Sequence, residues 1–344
     1  MQSQNFVFDP RPNYPLFVTA KRYTNPNVMY LNDSTAFTLV FLHGIGFHKE
    51  QWEPTLDDMI EMVDENGKKL RIREIWAIDA PNHGDAGVLN EETLSWGYEQ
   101  SFRWEEYARA THSLLAGLGK GIDTDFGRHR LVGIGHSMGA VGVLLSINFF
   151  PHVKFEAVVL VEIMTMSKEA SIAGTTVDTN PVAKSVLSRR DIWSSKEEAY
   201  SSLKKRSPWK TWDDRVLRKF VEYGLRPLPS KEYPSKSEGV TLKCTRKQEA
   251  ACFLDAGHSL VYCNFKNFTK RVPVHLIYGD VDDVIPRRAK EEVINTAIGG
   301  VQNLASFQQI PHGGHLSVQT HPAGVAQAIY RALTEVASLG LPKL

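Results

Sequence analysis

The segment HRLVGIGHSMGAVGVLL, residues 129–145, places a serine between glycines two residues away on either side: Gly135-His136-Ser137-Met138-Gly139. A strand-like apolar run leads in and a helical run leads out. A chain that turns this sharply at one residue needs glycine on both flanks, because a Cβ there would meet the crossing backbone. The turn pushes the serine oxygen outward, and the N-terminus of the following helix points at the same spot, which favours negative charge. A serine hydroxyl is a useful nucleophile only when a base takes its proton and a carboxylate fixes the tautomer of that base. Two late loops carry such groups: Gly279-Asp280-Val281-Asp282-Asp283-Val284-Ile285-Pro286 and Pro311-His312-Gly313-Gly314-His315-Leu316. His315, behind a Gly-Gly pair, is the favoured base, and His312 reads as a loop residue. The aspartates of the first loop compete for the acid. This is the apparatus of acyl transfer.

The elements that must hold these residues follow from the apolar pattern. FTLVFLH (37–43), REIWAID (73–79), HRLVGIGH (129–136), EAVVLVEIM (156–164), VPVHLIYGD (272–280) and ASFQQIP (305–311) are nearly continuous in large apolar residues. Continuous rather than alternating runs predict parallel strands covered on both faces. Amphipathic segments such as EQWEPTLDDMIEMVDEN and AQAIYRALTEVASL lie between them, so the chain predicts a doubly wound α/β sheet. The first thirty or so residues are expected to add an antiparallel hairpin at one edge. The alternation breaks after residue 164, and a stretch this long is read as an inserted helical cap. The expected division is core 1–164, cap 165–270 and core 271–344. The cap holds 20 Lys and Arg against 12 Asp and Glu, hidden in a whole-chain charge of only +1. A solvated surface is the plain explanation, and attraction of an anionic substrate or carrier is the functional one.

His43-Gly44, Asp79-Ala80-Pro81-Asn82-His83-Gly84, the turn at Ser137, the Gly279-x-x-Asp282 loop and Gly313-Gly314-His315 follow one another in an order that resembles the α/β-hydrolase superfamily. The resemblance covers nearly the whole chain. WDDRVLRKFVEYGLRPLP, GVTLKCTRKQEAACF and the Lys-Leu terminus are similar, more narrowly, to fungal peroxisomal lipase-type hydrolases and to hydrolases of fungal polyketide and toxin pathways. It implies a mostly parallel eight-stranded sheet with helices on both faces. Family spacing makes Asp282 the acid of a Ser137, His315, Asp282 triad, with Asp283 second. Glu162 is third, because related enzymes sometimes place the acid after the preceding strand. The backbone N–H groups of Ile45 and Met138 are the implied oxyanion donors. Phe47, His48 and Trp52 are candidate pocket residues, as are the cap tryptophans Trp193, Trp209 and Trp212.

Other chemistries fit poorly. Gly133-x-Gly135 would need its third glycine where Met138 stands, so no dinucleotide fingerprint is present, and Gly117–Gly121 lacks the spacing of a phosphate loop. Cys244, Cys252 and Cys263 are too far apart for a metal knuckle, and His312-x-x-His315 alone does not make a metal site. No metal or cofactor is expected, and the near-zero charge gives no reason to expect nucleic acid. The opening residues lack a basic-then-apolar leader, and no apolar run is long enough to span a membrane. Pro342-Lys343-Leu344 differs from a Ser-Lys-Leu peroxisomal signal in its first residue, so an import receptor is a candidate partner and the peroxisome is placed ahead of the cytoplasm. The leading expectation is a serine hydrolase of a small-molecule ester, lactone or thioester. The alternatives are a cyclase using the same triad, and a non-catalytic scaffold binding a small molecule.

Overall fold

The apolar runs become strands because only the interior of a sheet can pair their backbone while burying both rows of side chains. The computed structural model describes residues 1–25, 30–66, 70–169 and 174–339. Eight strands form one sheet: β1 Gln2–Phe8, β2 Val18–Thr24, β3 Phe37–Leu42, β4 Ile72–Ile78, β5 Arg130–His136, β6 Phe155–Val161, β7 Val274–Gly279 and β8 Ser306–Ile310. Their spatial order is β1-β2-β4-β3-β5-β6-β7-β8. The hairpin β1–β2 is antiparallel and joins β4 antiparallel, as its edge position predicts. From β4 onward every pairing is parallel.

Successive residues of β3 feed opposite cores. Val40 and Leu42 pack with Tyr107, Met138 and Leu144 on one face, while Leu39 and Phe41 pack with Trp52, Leu56 and Ile329 on the other. Six helices matter for the site and its support: α1 Glu53–Asn66, α2 Trp104–Leu115, α3 Met138–Ser146, α4 Gly257–Arg271, α5 Arg287–Glu292 and α6 Pro322–Leu339. Helices α2, α3 and α4 cover one face of the sheet, and α1 with α6 covers the other. Helix α3 is buried along its whole length, which explains why its sequence is apolar all round instead of amphipathic.

The long segment between β6 and β7 differs from a purely helical insertion. Beside its helices it carries an antiparallel sheet of three short strands, with Val240–Leu242 between Ile192–Trp193 and Leu225–Pro227. Strands of two or three residues leave too little periodicity to be read from sequence. Trp193, Trp209 and Trp212 pack with Leu217 and Phe220 into a small core of this segment's own. Helix α4, by contrast, sends Val261, Phe265 and Phe268 into the main core. We propose on this ground that the inserted unit ends before Gly257 rather than at 270. Among the described residues no helix is long and apolar enough to cross a membrane. The Pro342-Lys343-Leu344 terminus lies outside the described residues.

Candidate active site

Parallel strands deliver their following loops to one edge of the sheet, and the site assembles there. β5 ends at His136, and Ser137 takes a left-handed φ of 54° before α3 begins at Met138. The strain is held from both sides: the Ser137 N–H donates to the Val161 carbonyl at 3.1 Å, and its own carbonyl accepts from Ala140 at 3.1 Å. Gly135 is obligatory here, because a Cβ on it would lie 2.5 Å from the backbone of Ala140. Gly135→Ala is therefore expected to destabilise the fold by about 1–3 kcal/mol and to slow any reaction at Ser137. Urea denaturation beside a rate measurement checks this, and a variant unchanged in both would contradict it.

The Ser137 hydroxyl lies 3.0 Å from Nε2 of His315, and Nδ1 of His315 lies 3.3 Å from Oε2 of Glu162. All three are buried, at 5%, 6% and 0% exposure. Two of the three residues expected from the sequence are thus brought together. The third is not Asp282. That residue is exposed, and its carboxylate accepts the N–H of Arg287 at 3.1 Å, capping α5. Asp283 accepts the backbone N–H of His315 at 2.9 Å, so it holds the histidine loop and not the imidazole. Glu162, the third-ranked acid, occupies the position at the ring. It is reached because β6 and β7 are paired neighbours, with the Glu162 N–H donating to the Ile277 carbonyl at 2.8 Å. A left-handed φ of 47° at Glu162 then turns its side chain toward His315.

Oε1 of Glu162 accepts the Gly279 N–H at 2.5 Å and the Lys290 ammonium at 2.7 Å. Burial pushes this carboxyl up, but the hydrogen bonds from His315 and Lys290 and the charge of Lys290 outweigh it and hold it below its ordinary value. Lys290 is a buried part of the site that sequence reasoning missed, since a lysine in the charged run RRAKEE carries no sign of burial. His136 is a second such residue. Its Nε2–H donates to the His315 carbonyl at 2.8 Å, and burial together with the neighbouring His315 lowers it to about 3, so its ring is neutral. His312 sits exposed in the loop.

The loop that follows β3 faces Ser137 from the other side. A Cβ on Gly44 would meet Nδ1 of His136 at 2.9 Å and Cβ of Ser137 at 3.2 Å, so glycine permits the close approach. His43 braces this loop: its Nδ1–H donates to the Gly44 carbonyl at 2.7 Å, and its Nε2 accepts the Ala80 N–H at 3.0 Å. Burial lowers His43 to about 4, which keeps Nε2 an acceptor. The Gly46 N–H donates to Nε2 of His83 at 2.9 Å. The Met138 N–H opens α3 and has no carbonyl partner within the helix. Ile45 is partly buried against the core beside it.

The other expected pocket residues divide. Phe47 lies over the His136 ring with centroids 6.1 Å apart and touches Trp212 at 5.6 Å, linking the elbow to the inserted segment. His48 packs against Phe220 and its Nδ1 bonds Glu50 at 2.9 Å. Trp52 is driven into the core under the sheet, edge-on to Phe41. Trp193 and Trp209 are taken up by the core of the insertion, where large aromatic area is best buried. Among the described residues no group of His, Cys, Asp and Glu is placed to hold a metal ion.

Comparison with known proteins bears on the family and the fold. The chain is 27% identical over 199 residues to a type I acyl-CoA thioesterase, mpaH, of Penicillium roqueforti, covering 58% of this chain and 42% of that one. It is 30% identical over 161 residues to the peroxisomal membrane protein LPX1 of Saccharomyces cerevisiae, covering 47% and 38%. The chain thus spans less than half the length of the curated relatives it matches. Among solved structures, the peroxisomal alpha-beta-hydrolase Lpx1 of Saccharomyces cerevisiae aligns over 99% of this chain and 90% of its own, with a TM-score of 0.74 at 20% identity. The thioesterase domain from the curacin biosynthetic pathway aligns over 96% and 99%, with a TM-score of 0.62 at 15% identity. The family model for alpha/beta hydrolases matches residues 39–328, from β3 into the last helix and through the elbow, Glu162 and His315, and the chain therefore belongs to the alpha/beta hydrolase family.

Proposed function

We propose that this protein is a serine hydrolase that cleaves a carboxylic ester or thioester through an acyl-enzyme on Ser137. The observation that carries the reading is the relay Ser137 Oγ to His315 Nε2 at 3.0 Å and His315 Nδ1 to Glu162 Oε2 at 3.3 Å. Ser137 Oγ attacks the acyl carbon while its proton passes to His315, and the Glu162 carboxylate stabilises the imidazolium. The carbonyl oxygen gains the negative charge and takes the N–H groups of Met138 and Ile45. His315 returns the proton to the leaving alcohol or thiol, and water reverses the sequence to release the acid. Preorganised donors of this kind lower such a barrier by roughly 3–4 kcal/mol each.

The thioesterase names of several relatives support a thioester, and the basic insertion supports an anionic carrier on the leaving side. The insertion acts as a cap whose Trp212, with Phe47 of the loop after β3, forms an apolar wall beside the elbow, which suits an apolar acyl group. A relative named as peroxisomal supports the same compartment for this chain, reached through an import receptor that binds Pro342-Lys343-Leu344.

Fluorophosphonate labelling tests the reading. The wild-type protein should be labelled, and Ser137→Ala should lose the label while keeping its circular dichroism spectrum. Label retained on Ser137→Ala would remove the nucleophile from this site. Release of free thiol from acyl-CoA, compared with release of alcohol from simple esters, then separates thioester from ester as the preferred substrate.

A further inference from the structure

The acid of the relay has a buried cation behind it. Lys290 reaches from α5 beneath the end of β7, placing Nζ 2.7 Å from Oε1 of Glu162 and 3.0 Å from the carbonyl of Gly279. Its ammonium also lies over the ring of the buried Tyr278, 5.2 Å from the centroid. Neither partner is solvated: side-chain exposure is 9% for Lys290 and 0% for Glu162. A buried pair of this kind adds little to stability, because desolvation offsets most of the attraction. Its geometry serves another end. The two oxygens of Glu162 have separate duties, Oε1 held by Lys290 and the Gly279 N–H, and Oε2 left for His315.

We propose that Lys290 is a positioning residue of the catalytic relay, a buried ammonium that fixes the Glu162 carboxylate in one orientation and keeps it ionised beside the His315 imidazole. The inference rests on the reading of Ser137, His315 and Glu162 as the reacting groups. Without the ammonium, a carboxylate and an imidazole in a dry site share a negative charge with no counterion, and the pair takes up a proton more readily. Whether that proton sits on Glu162 or on His315, Nε2 then stops accepting from Ser137 or the relay loses its anion. Other groups facing the pair do not supply the missing charge. His136 is held neutral by burial, and burial pushes the Tyr278 hydroxyl far above its ordinary range. Asp283 places a further negative charge on the backbone N–H of His315, which makes the cation more necessary. The carboxylates after β7 thus hold backbone N–H groups and not the imidazole, and the helix that follows them contributes a lysine behind Glu162.

The experiment is the pH profile of kcat/KM, or of the fluorophosphonate labelling rate, for wild type, Lys290→Met, Lys290→Arg and Glu162→Gln. Lys290→Met should lower the plateau roughly tenfold or more and move the acid limb to higher pH by about one unit, the size a neighbouring charge usually gives. Lys290→Arg, which keeps the charge, should return the limb to within a few tenths of a unit of wild type even if its plateau stays low. If Lys290→Met does not fold, Lys290→Gln replaces it, and the same limb shift is expected. A limb that stays at the wild-type pH in the folded Met or Gln variant overturns the inference, as does a shift in Lys290→Arg equal to that in Lys290→Met. The underlying reading fails separately: it is lost if Ser137→Ala still labels or if Glu162→Gln keeps full activity.

Discussion

Glu162→Gln should lower turnover by about three to four orders of magnitude, while Asp282→Asn leaves it within a few fold. The large figure is the size expected when the acid of a serine relay becomes an amide, which cannot hold the imidazole in the productive tautomer or offset its charge. Glu162 is fully buried at the ring of His315, so no water or neighbouring carboxylate replaces it. Asp282 only caps the N-terminus of α5 through Arg287, a surface contact whose loss costs about 1 kcal/mol of stability. Asp283→Asn should fall between them, since its carboxylate positions the His315 backbone and not the ring. Steady-state kinetics on any accepted ester checks all three, with thermal melts to confirm that each variant is folded. Full activity in Glu162→Gln with collapse in Asp282→Asn would show that the acid lies after β7 and that Glu162 has no part in the relay.

The largest effect on stability should come from Lys49→Met, a loss of about 3–5 kcal/mol, the usual result of leaving buried charge uncompensated. Lys49 is 1% exposed and its ammonium meets Asp79 at 2.8 Å, Asp85 at 2.6 Å and Glu50 at 3.1 Å. Asp79 is completely buried and also accepts the Thr19 hydroxyl at 2.7 Å and the Lys49 N–H at 2.8 Å. Burial alone would raise Asp79, but the charge of Lys49 and these hydrogen bonds hold it far below the usual carboxylate range. The sign for pH follows from that depression. The native state binds the proton more weakly than the unfolded chain, so Asp79 stabilises the fold above the unfolded carboxylate value, near 3.9, and the gain is lost as pH falls below it toward the native value. Lys49 is displaced the other way, its neighbours' negative charge outweighing burial, so its own contribution persists through neutral pH and fades only in strong alkali. Urea denaturation at neutral pH should show the deficit of Lys49→Met directly. Wild type should lose stability on acidification below about pH 4. Because His43 lies 3.8 Å from Asp79 and braces the loop beside Ser137, the variant should also react more slowly with a fluorophosphonate. Unchanged stability would mean that the three carboxylates find solvent or protons at no cost.

What the sequence determined is local. The elbow at Ser137 could be read because a left-handed serine between a strand and a helix admits only glycine at Gly135 and Gly139, a restriction written within five residues. His315 was legible from its Gly-Gly lead and its place after the last strand, and the parallel sheet from runs apolar on both faces. Which carboxylate stands at the His315 ring was not, and the reason is topological. β6 and β7 lie side by side, with Val161 paired to Ile277, so the loops after both strands open at the same edge within reach of one imidazole. Their carboxylates are equivalent in one dimension, although Glu162 stands 153 residues before His315, and only the fold tells which of them turns inward. The same holds for Lys290, whose burial depends on where α5 docks against β7, and for Trp193, Trp209 and Trp212. Sequence shows the tryptophans as aromatic area to be buried, while tertiary packing decides that they build the insertion's own core, with Trp212 alone reaching Phe47 beside the elbow.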